Sequence, residues 1–275
     1  MPHEMFKAIR DSSWSADHAA AHGVSLDEVR EAVLDSSYWT TPGRDGTTLV
    51  YGLTSAGRHL LVVALAEGEE AVVVTARDMK ESWDDSYTGT APPPWDIGRP
   101  QPTFVRLADE GRLAGRVLDA GCGTGEHALL AASRGADATG MDLSPTAIAC
   151  ARAKAAERGL SARFEIADAL DLPRHGVTVD TVIDSGVFHV FDDEDRAKYI
   201  AGLASALRPG GTCYLMCFSD RQPGDWGPRR FRAEELRAEF GDGWTIESLT
   251  PETFELNLIE GLTQVQAWLA VIGRS

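Results

Sequence analysis

A glycine-rich segment and an acidic residue that follows it are the part of the sequence most suited to bind a ligand. Residues 117–125 read Val-Leu-Asp-Ala-Gly-Cys-Gly-Thr-Gly, and Asp142 stands seventeen positions after the last of these glycines. Gly121, Gly123 and Gly125 let the backbone turn sharply, and they leave room for a ligand where a Cβ atom would block it. An acid at the end of a strand can accept hydrogen bonds from two ribose hydroxyls. The pattern therefore predicts a nucleoside bound across the carboxyl ends of two parallel strands.

The spacing of the glycines helps to decide which nucleoside ligand is bound. NAD(P)-binding oxidoreductases have the fingerprint G-x-G-x-x-G, with the third glycine inside the following helix. Here the pattern is G-x-G-x-G, Glu126 occupies the place of that third glycine, and Asp119 precedes the loop. A carboxylate at the loop would repel a pyrophosphate, but it suits a ligand that carries an ammonium and a sulfonium group. An NAD(P)-binding oxidoreductase and a glycine-rich turn without a ligand remain the alternatives.

The segment 117–125 resembles the first motif of class I S-adenosylmethionine (SAM)-dependent methyltransferases. The resemblance implies a transferase that uses SAM as its cofactor and releases S-adenosylhomocysteine (SAH). It also implies that Asp119 and the loop backbone hold the methionine moiety, that Asp168 and the backbone of Ala169 lie beside the adenine, and that Asp184 lies beneath the reacting methyl group. The cofactor-binding residues predicted from these motifs are Asp119, Gly121, Cys122, Gly123, Gly125, Asp142, Leu143, Asp168, Ala169 and Asp184.

A proline-rich segment before the glycine loop resembles a more particular group of these enzymes. Residues 92–102 read Pro-Pro-Pro-Trp-Asp-Ile-Gly-Arg-Pro-Gln-Pro. They resemble the amino-terminal arm of thiopurine S-methyltransferase-like, halide/thiol and heterocyclic-toxin methyltransferases. The resemblance implies that residues 80–102 form a lid over SAM, with Trp95 packed against the cofactor and Gln101 near its carboxylate end. It also assigns residues 80–275 to the methyltransferase domain.

The acceptor side of the predicted site contains one histidine among aromatic residues. Methyl transfer is an in-line displacement, in which alignment within a dry pocket provides most of the catalysis. His189, in the run Asp-Ser-Gly-Val-Phe-His-Val-Phe at 184–191, is the candidate catalytic residue. It could act as the base for a phenol, or it could only shape the pocket for a thiolate or a ring nitrogen. The apolar wall is predicted from Phe188, Phe191, Phe218 and Trp226. We therefore expect a small, mostly apolar or aromatic acceptor with a sulfur, nitrogen or oxygen nucleophile.

The elements that must position these residues alternate regularly along the chain. Strands are predicted at 116–119, 137–142, 162–167, 179–184, 212–218, 244–249 and 264–272. Helices are predicted between them at 126–134, 144–159, 193–207 and 233–240. Repeated βα units imply an α/β, Rossmann-like fold with a mostly parallel sheet, which binds ligands at its carboxyl edge. The last two of the seven strands are expected to form an antiparallel hairpin at the sheet edge.

Residues 1–79 are predicted to form a separate small α+β domain. A capping box from Ser25 to Glu28 opens a helix that reaches residue 34, and three strands follow at 48–53, 59–66 and 71–75. The order of short runs such as His-Gly-Val, Tyr-Gly-Leu and Val-Thr-Ala-Arg resembles the BrnT-type toxins, which are small ribonucleases with a RelE-like fold. The basic residues of the toxins are replaced after Arg77 by Asp-Met-Lys-Glu-Ser-Trp. An accessory or homodimerisation domain is therefore expected, with a ribonuclease fused to a methyltransferase as the alternative.

Bulk composition excludes several other classes of partner. The chain has 275 residues and a net charge of −16, which argues against a nucleic-acid phosphate backbone as partner. No apolar run approaches the length of a membrane span, and the polar amino terminus does not look like a secretory signal. The four cysteines have no disulfide or metal-binding spacing, so a cytoplasmic protein with reduced thiols is expected. His18 and His22 have a metal-like spacing, but no third ligand accompanies them and no metal is predicted.

Overall fold

A computed structural model describes most of the chain and divides it into two compact units. The described residues are 6–35, 38–43, 46–56, 58–89, 91–224, 227–259 and 262–275. The first unit consists of Met1–Trp95, Pro223–Pro228 and Asn257–Thr263. The second consists of Asp96–Gln222, Arg229–Leu256 and Gln264–Ser275. The amino-terminal segment of the first unit therefore ends at Trp95, whereas the domain boundary expected from the sequence follows residue 79.

The first unit is built on a five-stranded sheet with helices. Its elements are β1 (Ala8–Arg10), α1 (Ser13–Ala21), α2 (Leu26–Arg30), a π-helical turn (Glu31–Asp35), β2 (Trp39–Pro42), β3 (Thr48–Leu53), β4 (His59–Glu67), β5 (Glu70–Asp78) and α3 (Met79–Tyr87). The strand order is β1-β5-β4-β3-β2. Strand β1 runs parallel to β5, and the other neighbours are antiparallel. An α+β unit was expected here, with three of these five strands predicted.

Local sequence explains where the helices of the first unit begin. The side chain of Ser25 accepts a hydrogen bond from the Glu28 N–H, and the Glu28 side chain accepts one from the Ser25 N–H. This reciprocal capping box starts α2 as expected. Ser12 and Ser15 form a similar box at the start of α1, which was not predicted because its glutamate-free form is harder to recognise. Both helices bury small or branched apolar side chains, such as those of Ala19 and Val29, in the hydrophobic core of this unit.

The second unit contains a seven-stranded sheet with helices between its strands. Its strands are β6 (Arg116–Ala120), β7 (Asp137–Asp142), β8 (Arg163–Ile166), β9 (Val179–Ser185), β10 (Leu207–Phe218), β11 (Trp244–Ile259) and β12 (Leu262–Arg274). Its helices are α4 (Pro102–Asp109), α5 (Glu126–Ser133), α6 (Pro145–Arg158), α7 (Leu172–His175), α8 (Asp193–Ala206) and α9 (Ala233–Glu239). Short 3₁₀ turns lie at Ala169–Asp171 and Phe188–Val190. The ends of β11 and β12 that adjoin residues 260–261 belong to the first unit.

The order of the strands creates a crevice for a ligand. The sheet runs β11-β12-β10-β9-β6-β7-β8, and the five strands from β10 to β8 are parallel. Strand β12 is antiparallel to β10, and β11 lies outside it. The chain passes from β6 to β7 on one side and later returns to β9 on the other, so β6 marks a topological switch point. Open α/β sheets bind their ligands at such a point, outside the carboxyl ends of the strands.

This architecture confirms the predicted Rossmann-like fold and differs from the expected elements in detail. Strand β10 begins at Leu207 rather than at residue 212, because the Arg-Pro-Gly-Gly run after Leu207 is extended and the pairing register with β9 shifts there. Strand β11 continues to Ile259 instead of ending at residue 249. The central strands β6 and β9 are buried along most of their length, as expected for a parallel sheet covered on both faces. Within the described part of the chain, no helix combines the length and apolar character needed to cross a membrane.

Candidate active site

The glycine loop between β6 and α5 has the conformation that its sequence predicts. The backbone φ angles of Gly121, Gly123 and Gly125 are +63°, +52° and +86°, a region that other residues rarely adopt. Space is also limited at two of these positions. A Cβ atom on Gly121 would lie 2.1 Å from Val187 Cγ2, and one on Gly125 would lie 2.6 Å from the ring of Phe164. Both conformation and close packing therefore require glycine in this loop.

Asp142 at the end of β7 is hydrogen-bonded to the glycine loop. Its Oδ2 atom accepts the Gly123 N–H at 2.7 Å, and its Oδ1 atom accepts the Ser144 N–H at 2.9 Å. The Cys122 N–H donates to the Met141 carbonyl at 2.8 Å, which adds a second link between loop and strand. These bonds bring together the glycines and the acid that the sequence places seventeen or more residues apart. Leu143, the next residue, is 39 % exposed at the same edge.

Two further acids are buried at the carboxyl ends of β6 and β9. Asp119 accepts the Ala128 N–H at 2.9 Å, and its pKa is raised to about 8, mainly by burial and further by the carboxylates of Asp142 and Asp184. Burial likewise raises the pKa of Asp184 to about 6, although several hydrogen bonds oppose the rise. Among the described residues, neither Asp119 nor Asp184 forms an ion pair. The edge therefore holds two buried acids whose charged forms a cationic ligand beside them would favour.

Asp184 also shapes the turn that carries His189. Its carboxylate accepts the N–H of Val187 at 2.8 Å and that of Phe188 at 3.1 Å. The hydroxyl of Tyr199, on α8, donates to the same carboxylate at 2.9 Å, and both side chains are fully buried. Three donors thus fix one acid at the beginning of the 3₁₀ turn Phe188–Val190. Sequence reasoning missed Tyr199, because only its helical position on α8 could have suggested that it faces the sheet.

His189 is buried between aromatic rings at this edge. Its Nδ1 atom accepts the backbone N–H of Phe218, at the end of β10, at 3.0 Å. Its ring meets those of Phe218 and Phe254 edge-on, at centroid distances of 4.9 and 6.1 Å. Phe254, on β11, was not predicted, because it lies beyond the strand end expected at residue 249. The structure therefore brings His189 and Phe218 together, as the sequence suggested, and adds one aromatic residue.

The other predicted wall residues have different surroundings. Phe188 is fully buried and packs on Phe231 and Phe240 in the hydrophobic core, and Phe191 packs on Tyr199. Trp226 lies outside the described residues. The buried guanidinium of Arg196 contacts the faces of Phe188 and Phe231 and donates to the Phe191 carbonyl at 2.8 Å. Phe188 and Phe191 therefore support the turn from its core side.

Asp168 and Ala169 follow β8 on the far side of the switch point. The side chain of Asp168 accepts the Leu170 N–H at 2.8 Å and so begins the 3₁₀ turn Ala169–Asp171. Ala169 is buried within the hydrophobic core of the unit. Cys122 is buried as well, and burial raises the pKa of its thiol well above the ordinary value. The Cys122 sulfur packs against Gly140 of β7 so closely that a Cβ atom on Gly140 would lie only 2.7 Å from it. The thiol therefore fills the space between the loop and this strand.

Gln101 connects the segment before α4 to two other elements. Its side-chain amide donates to the Glu255 carbonyl on β11 and accepts the Glu255 N–H, both at 2.9 Å. Its backbone N–H donates to Nε2 of His127 at 3.1 Å. His127, on α5, is partly buried, and the loss of solvation lowers its pKa to about 4, so the ring is a neutral acceptor. Gln101 thus links β11 with α5, and its expected place near a cofactor carboxylate stays a prediction.

Trp95 belongs to the first unit, where it joins an aromatic cluster. Its indole N–H donates to the Tyr87 hydroxyl at 3.0 Å. The rings of Trp83 and Tyr51 meet it edge-on at 5.6 and 6.0 Å. The described contacts of Trp95 are therefore aromatic, and its predicted contact with the cofactor stays a prediction.

Glu126, the residue that replaces the third glycine of the dinucleotide fingerprint, is held by cations. It pairs with Lys154 and Arg158 of α6, each at 2.8 Å. Burial opposes ionisation, but these hydrogen bonds outweigh it and bring the pKa of Glu126 below its ordinary value. Lys154 also donates to the Thr124 hydroxyl at 2.7 Å, which in turn donates to Asp96 at 3.0 Å. The i, i+4 spacing of the two cations on α6 was a signal that sequence reasoning did not use.

The donor set of this edge fits a cationic nucleoside. The sheet offers a strand-end acid beside a turned glycine loop, and two buried acids that form no ion pair with any described residue. Among the described residues, no group of three or more His, Cys, Asp or Glu side chains could hold a metal ion. The aromatic surroundings of His189 lie beyond the end of β9, next to the loop that follows β6. Such an arrangement can hold a charged, activated group next to an enclosed acceptor.

Known proteins point to the same chemistry. Residues 117–211 match the family described as a methyltransferase domain. A 2-heptyl-1-hydroxyquinolin-4(1H)-one methyltransferase of Mycobacteroides abscessus is 36% identical over 189 residues, which cover 66% of this chain and 83% of that protein. A probable thiol methyltransferase 2 of Arabidopsis thaliana is 28% identical over 138 residues, or 50% of this chain and 61% of that protein.

Solved structures share the fold. One, from work on the conversion of a disulfide bond into a thioacetal group during echinomycin biosynthesis, has a TM-score of 0.65 and 42% sequence identity. The match covers 72% of this chain and 92% of that one. The magnesium protoporphyrin IX methyltransferase of Synechocystis PCC 6803, with bound SAM, has a TM-score of 0.50 and 25% identity, covering 63% of this chain and 76% of that one.

Proposed function

Because the chain belongs to the class I SAM-dependent methyltransferases, we propose that it transfers a methyl group to a heteroatom of a small, mostly apolar or aromatic molecule. The predicted enzyme class and the cofactor SAM are confirmed, and the NAD(P)-binding oxidoreductase has no support among the relatives. The acceptor class is inferred from the site itself. The observation that carries it is the position of His189, buried between the rings of Phe218 and Phe254 at the edge where the acids and the glycine loop meet.

We assign roles to the residues of the cofactor side as follows. Asp142 binds the ribose hydroxyls, the backbone of the loop at residues 121–125 surrounds the methionine moiety, and Asp168 with Ala169 borders the adenine. When bound, SAM supplies a methyl group that is activated by the positive charge of its sulfonium. The unpaired carboxylates of Asp119 and Asp184 favour such a cation, because burial makes their charged forms costly until a counter-charge arrives.

An acceptor that binds beside His189 must pack against aromatic side chains that are largely buried. Aryl thiols, phenols and N-heterocycles combine a flat apolar body with one nucleophilic heteroatom, which matches these neighbours. The acidic surface expressed by a net charge of −16 disfavours nucleic acids as acceptors. The names of the two relatives reported above, an N-hydroxyquinolinone methyltransferase and a probable thiol methyltransferase, support the same class.

A labelled-methyl assay tests this function directly. The full chain is incubated with isotopically labelled SAM and, separately, with panels of aryl thiols, phenols, N-hydroxy heterocycles, carboxylic acids, RNA and unrelated proteins. We expect transfer to members of the first three panels, at rates that SAH inhibits. Asp142→Ala should abolish transfer, whereas Asp137→Ala, at the other end of the same strand, should not. Transfer to RNA or protein alone would contradict the small-molecule assignment.

We further propose that the first unit is an accessory unit without ribonuclease activity, in a protein of the cytoplasm that can form homodimers. All the arginines described in this unit are ion-paired, so that they offer little free charge to RNA phosphates. They are Arg10 with Glu67 and Glu70, Arg30 with Asp11 and Asp27, Arg58 with Glu28 and Asp78, and Arg77 with Asp85.

Incubation of the full chain with bulk RNA should leave the RNA intact. Light scattering over a range of protein concentrations should show a dimer, and a monomer throughout would contradict that part of the proposal.

A further inference from the structure

Gln101 binds the outermost strand of the larger sheet through its side chain, and we propose that it is a positioning residue for the acceptor side of the active site. By fixing the backbone of β11 at Glu255, it holds the adjacent Phe254 against His189. The inference rests on the proposed function and adds a residue to it. It gives Gln101 a different role from the contact with the cofactor carboxylate that the resemblance implied. All four residues belong to the second unit.

The side chain of Gln101 takes the place of a neighbouring strand. Within the described part of the chain, β11 is the last strand of its sheet, so one of its edges has no strand beside it. Nε2 of Gln101 donates to the Glu255 carbonyl, and Oε1 accepts the Glu255 N–H, both at 2.9 Å. A side-chain amide carries the same donor and acceptor as a peptide group, so glutamine can satisfy both backbone atoms at once. We call these two hydrogen bonds the edge clamp.

The main chain of Gln101 is fixed independently of the edge clamp. Gln101 is the residue before the first turn of α4, a position at which Ser, Thr, Asp or Asn usually bonds to the helix through its side chain. Gln101 forms no such bond in the described structure. Its carbonyl accepts the Phe104 N–H at 3.0 Å, and its own N–H donates to Nε2 of His127 at 3.1 Å. The backbone is therefore held by α4 and α5, and the side chain is directed to β11.

Burial favours the edge clamp over a contact with the cofactor. Gln101 is only 3% exposed, and both ends of its amide are hydrogen-bonded to Glu255. Little of its surface is left for the carboxylate of a ligand. Removing the amide would instead leave the backbone N–H and C=O of Glu255 without these partners, which is costly for groups away from water. The contacts of Gln101 therefore indicate a role that acts through β11.

The residue next to Glu255 carries this effect to the acceptor side. Phe254 is 4% exposed, and its ring centroid lies 6.1 Å from that of His189 and 5.9 Å from that of Phe218. Segments with few backbone hydrogen bonds open locally at low cost. Without the edge clamp, any movement of Glu255 would reach Phe254 through a single peptide bond. The aromatic side chains beside His189 would then be less well ordered, and an acceptor would bind there more weakly.

A second contact between α4 and β11 provides a matched control. The Thr103 hydroxyl donates to the carboxylate of Glu252 at 3.2 Å, and Arg106 pairs with the same carboxylate. Thr103 is 2% exposed, so it is buried to the same degree as Gln101. Its bond reaches a side chain of β11 rather than the backbone next to Phe254. Thr103→Val therefore removes a buried bond between the same two elements and leaves the edge clamp intact.

Calorimetry with SAH separates the edge clamp from a cofactor contact. Gln101→Met keeps nearly the same length and loses both bonds, whereas Gln101→Glu keeps an acceptor for the Glu255 N–H. A glutamate beside the carboxylate of SAH would repel it, so a cofactor contact predicts the larger loss for Gln101→Glu. We expect both variants to bind SAH within about 3-fold of the wild type, which also shows that they are folded. A loss of about 10-fold or more in Gln101→Glu would overturn the proposal.

Steady-state kinetics test the effect on the acceptor. With an aryl thiol or phenol that the wild type methylates, we expect Gln101→Met to raise the acceptor KM about 10-fold while kcat stays within about 3-fold. A general loss of folded enzyme would lower the apparent kcat and leave KM unchanged. Thr103→Val should alter neither value. An unchanged KM in Gln101→Met, or an equal rise in Thr103→Val, would contradict the assigned role.

A spectroscopic measurement tests the same role without turnover. In ¹H–¹³C NMR of histidine-labelled full chain, the ring of Phe254 influences the signals of His189, which are assigned by their loss in His189→Phe. We expect these signals to move in Phe254→Leu and in Gln101→Met, and to stay in place in Thr103→Val. Signals that do not move in Gln101→Met would overturn the inference. If no small molecule is methylated, the proposed function fails, but this measurement still decides whether Gln101 positions Phe254.

Discussion

Two sites of this chain, the Arg58 network of the first unit and the sheet edge of the second, treat their partly or fully buried charges in opposite ways. In the first unit, Arg58 bridges Glu28 and Asp78, each at 2.8 Å. The pKa of Glu28 is lowered there, mainly by the backbone N–H of Ser25 and further by Arg58. In the second unit, Asp119 and Asp184 are buried and form no ion pair within the described part of the chain, and burial raises the pKa of both. One arrangement neutralises charge within the fold, and the other leaves it to be neutralised from outside.

This difference indicates which carboxylates serve the fold and which serve a ligand. A buried acid without a counter-charge destabilises the charged form of the folded chain. A fold that keeps two such acids at one sheet edge has binding energy available for a cation that fits there. The paired acids of the first unit, Glu28 and Asp78, offer no such binding energy, because Arg58 already neutralises their charge. Each of the following experiments tests one side of this contrast.

The largest effect is expected from Asp119→Asn in the chain without cofactor. The folded chain keeps the Asp119 proton up to a pH of about 8, whereas the unfolded chain releases it near the ordinary value of 3.8. The free energy of unfolding of the wild type should therefore fall, relative to the variant, as the pH rises from about 4 to about 8. The slope is at most about 1.4 kcal/mol per pH unit. Urea unfolding at several pH values would measure this difference.

The control for that experiment is Asp180→Asn. Hydrogen bonds from the Arg116 N–H and from Arg208 lower the pKa of Asp180, so its contribution has the opposite sign and is lost only in acid. The difference between this variant and the wild type should be flat above pH 5. A flat difference for Asp119→Asn as well would show that Asp119 is ionised in the folded chain, and the contrast between the two sites would not hold.

The next largest effect is expected on SAH binding, from substitution of Asp142 at the same sheet edge. Asp142→Ala should weaken SAH binding about 100-fold, or about 2.7 kcal/mol, because it removes the proposed ribose acceptor and the bond that fixes Gly123. Asp137→Ala, at the opposite end of β7 and paired with the exposed Arg163, is the matched control and should leave binding unchanged. Isothermal calorimetry gives both values. Equal binding by the two variants would remove Asp142 from the cofactor site.

The smallest effect is expected in the first unit. Arg58→Met leaves Glu28 and Asp78 without their cation, but both side chains keep some contact with water. The loss of stability should therefore be about 1 kcal/mol, and SAH affinity should not change. The exposed Arg10 pairs with Glu67 and Glu70, and Arg10→Met should have no measurable effect. A large fall in SAH affinity with Arg58→Met would mean that the paired network also serves the ligand.

Much of the second unit could be predicted from the sequence, because its signals are local. Regular alternation of strands and helices defined the parallel sheet, and the loop glycines with Asp142 marked its carboxyl edge. These residues act through backbone geometry and strand ends, which short stretches of sequence determine. The first unit was harder to predict, since α1 begins at a serine pair and β1 and β2 are too short to show a clear pattern.

The contacts that complete the site were not predictable, because they join distant residues. Nothing near Tyr199 indicates that its hydroxyl reaches Asp184, and nothing near Phe218 indicates that its backbone N–H meets His189. Both contacts depend on the register of neighbouring strands and on the helix packed against them.

The bond between Gln101 and Glu255 has a consequence for the synthesis of the protein. Its two partners are 154 positions apart in the chain. At about 5–20 residues per second, a ribosome needs roughly 8–30 s to pass from one to the other. During this time the glycine loop and its strand-end acids have already emerged, while the segment that begins α4 has no strand to hold it. Translation therefore delays this link until β11 is made, and a nascent chain interrupted before β11 would lack this anchor.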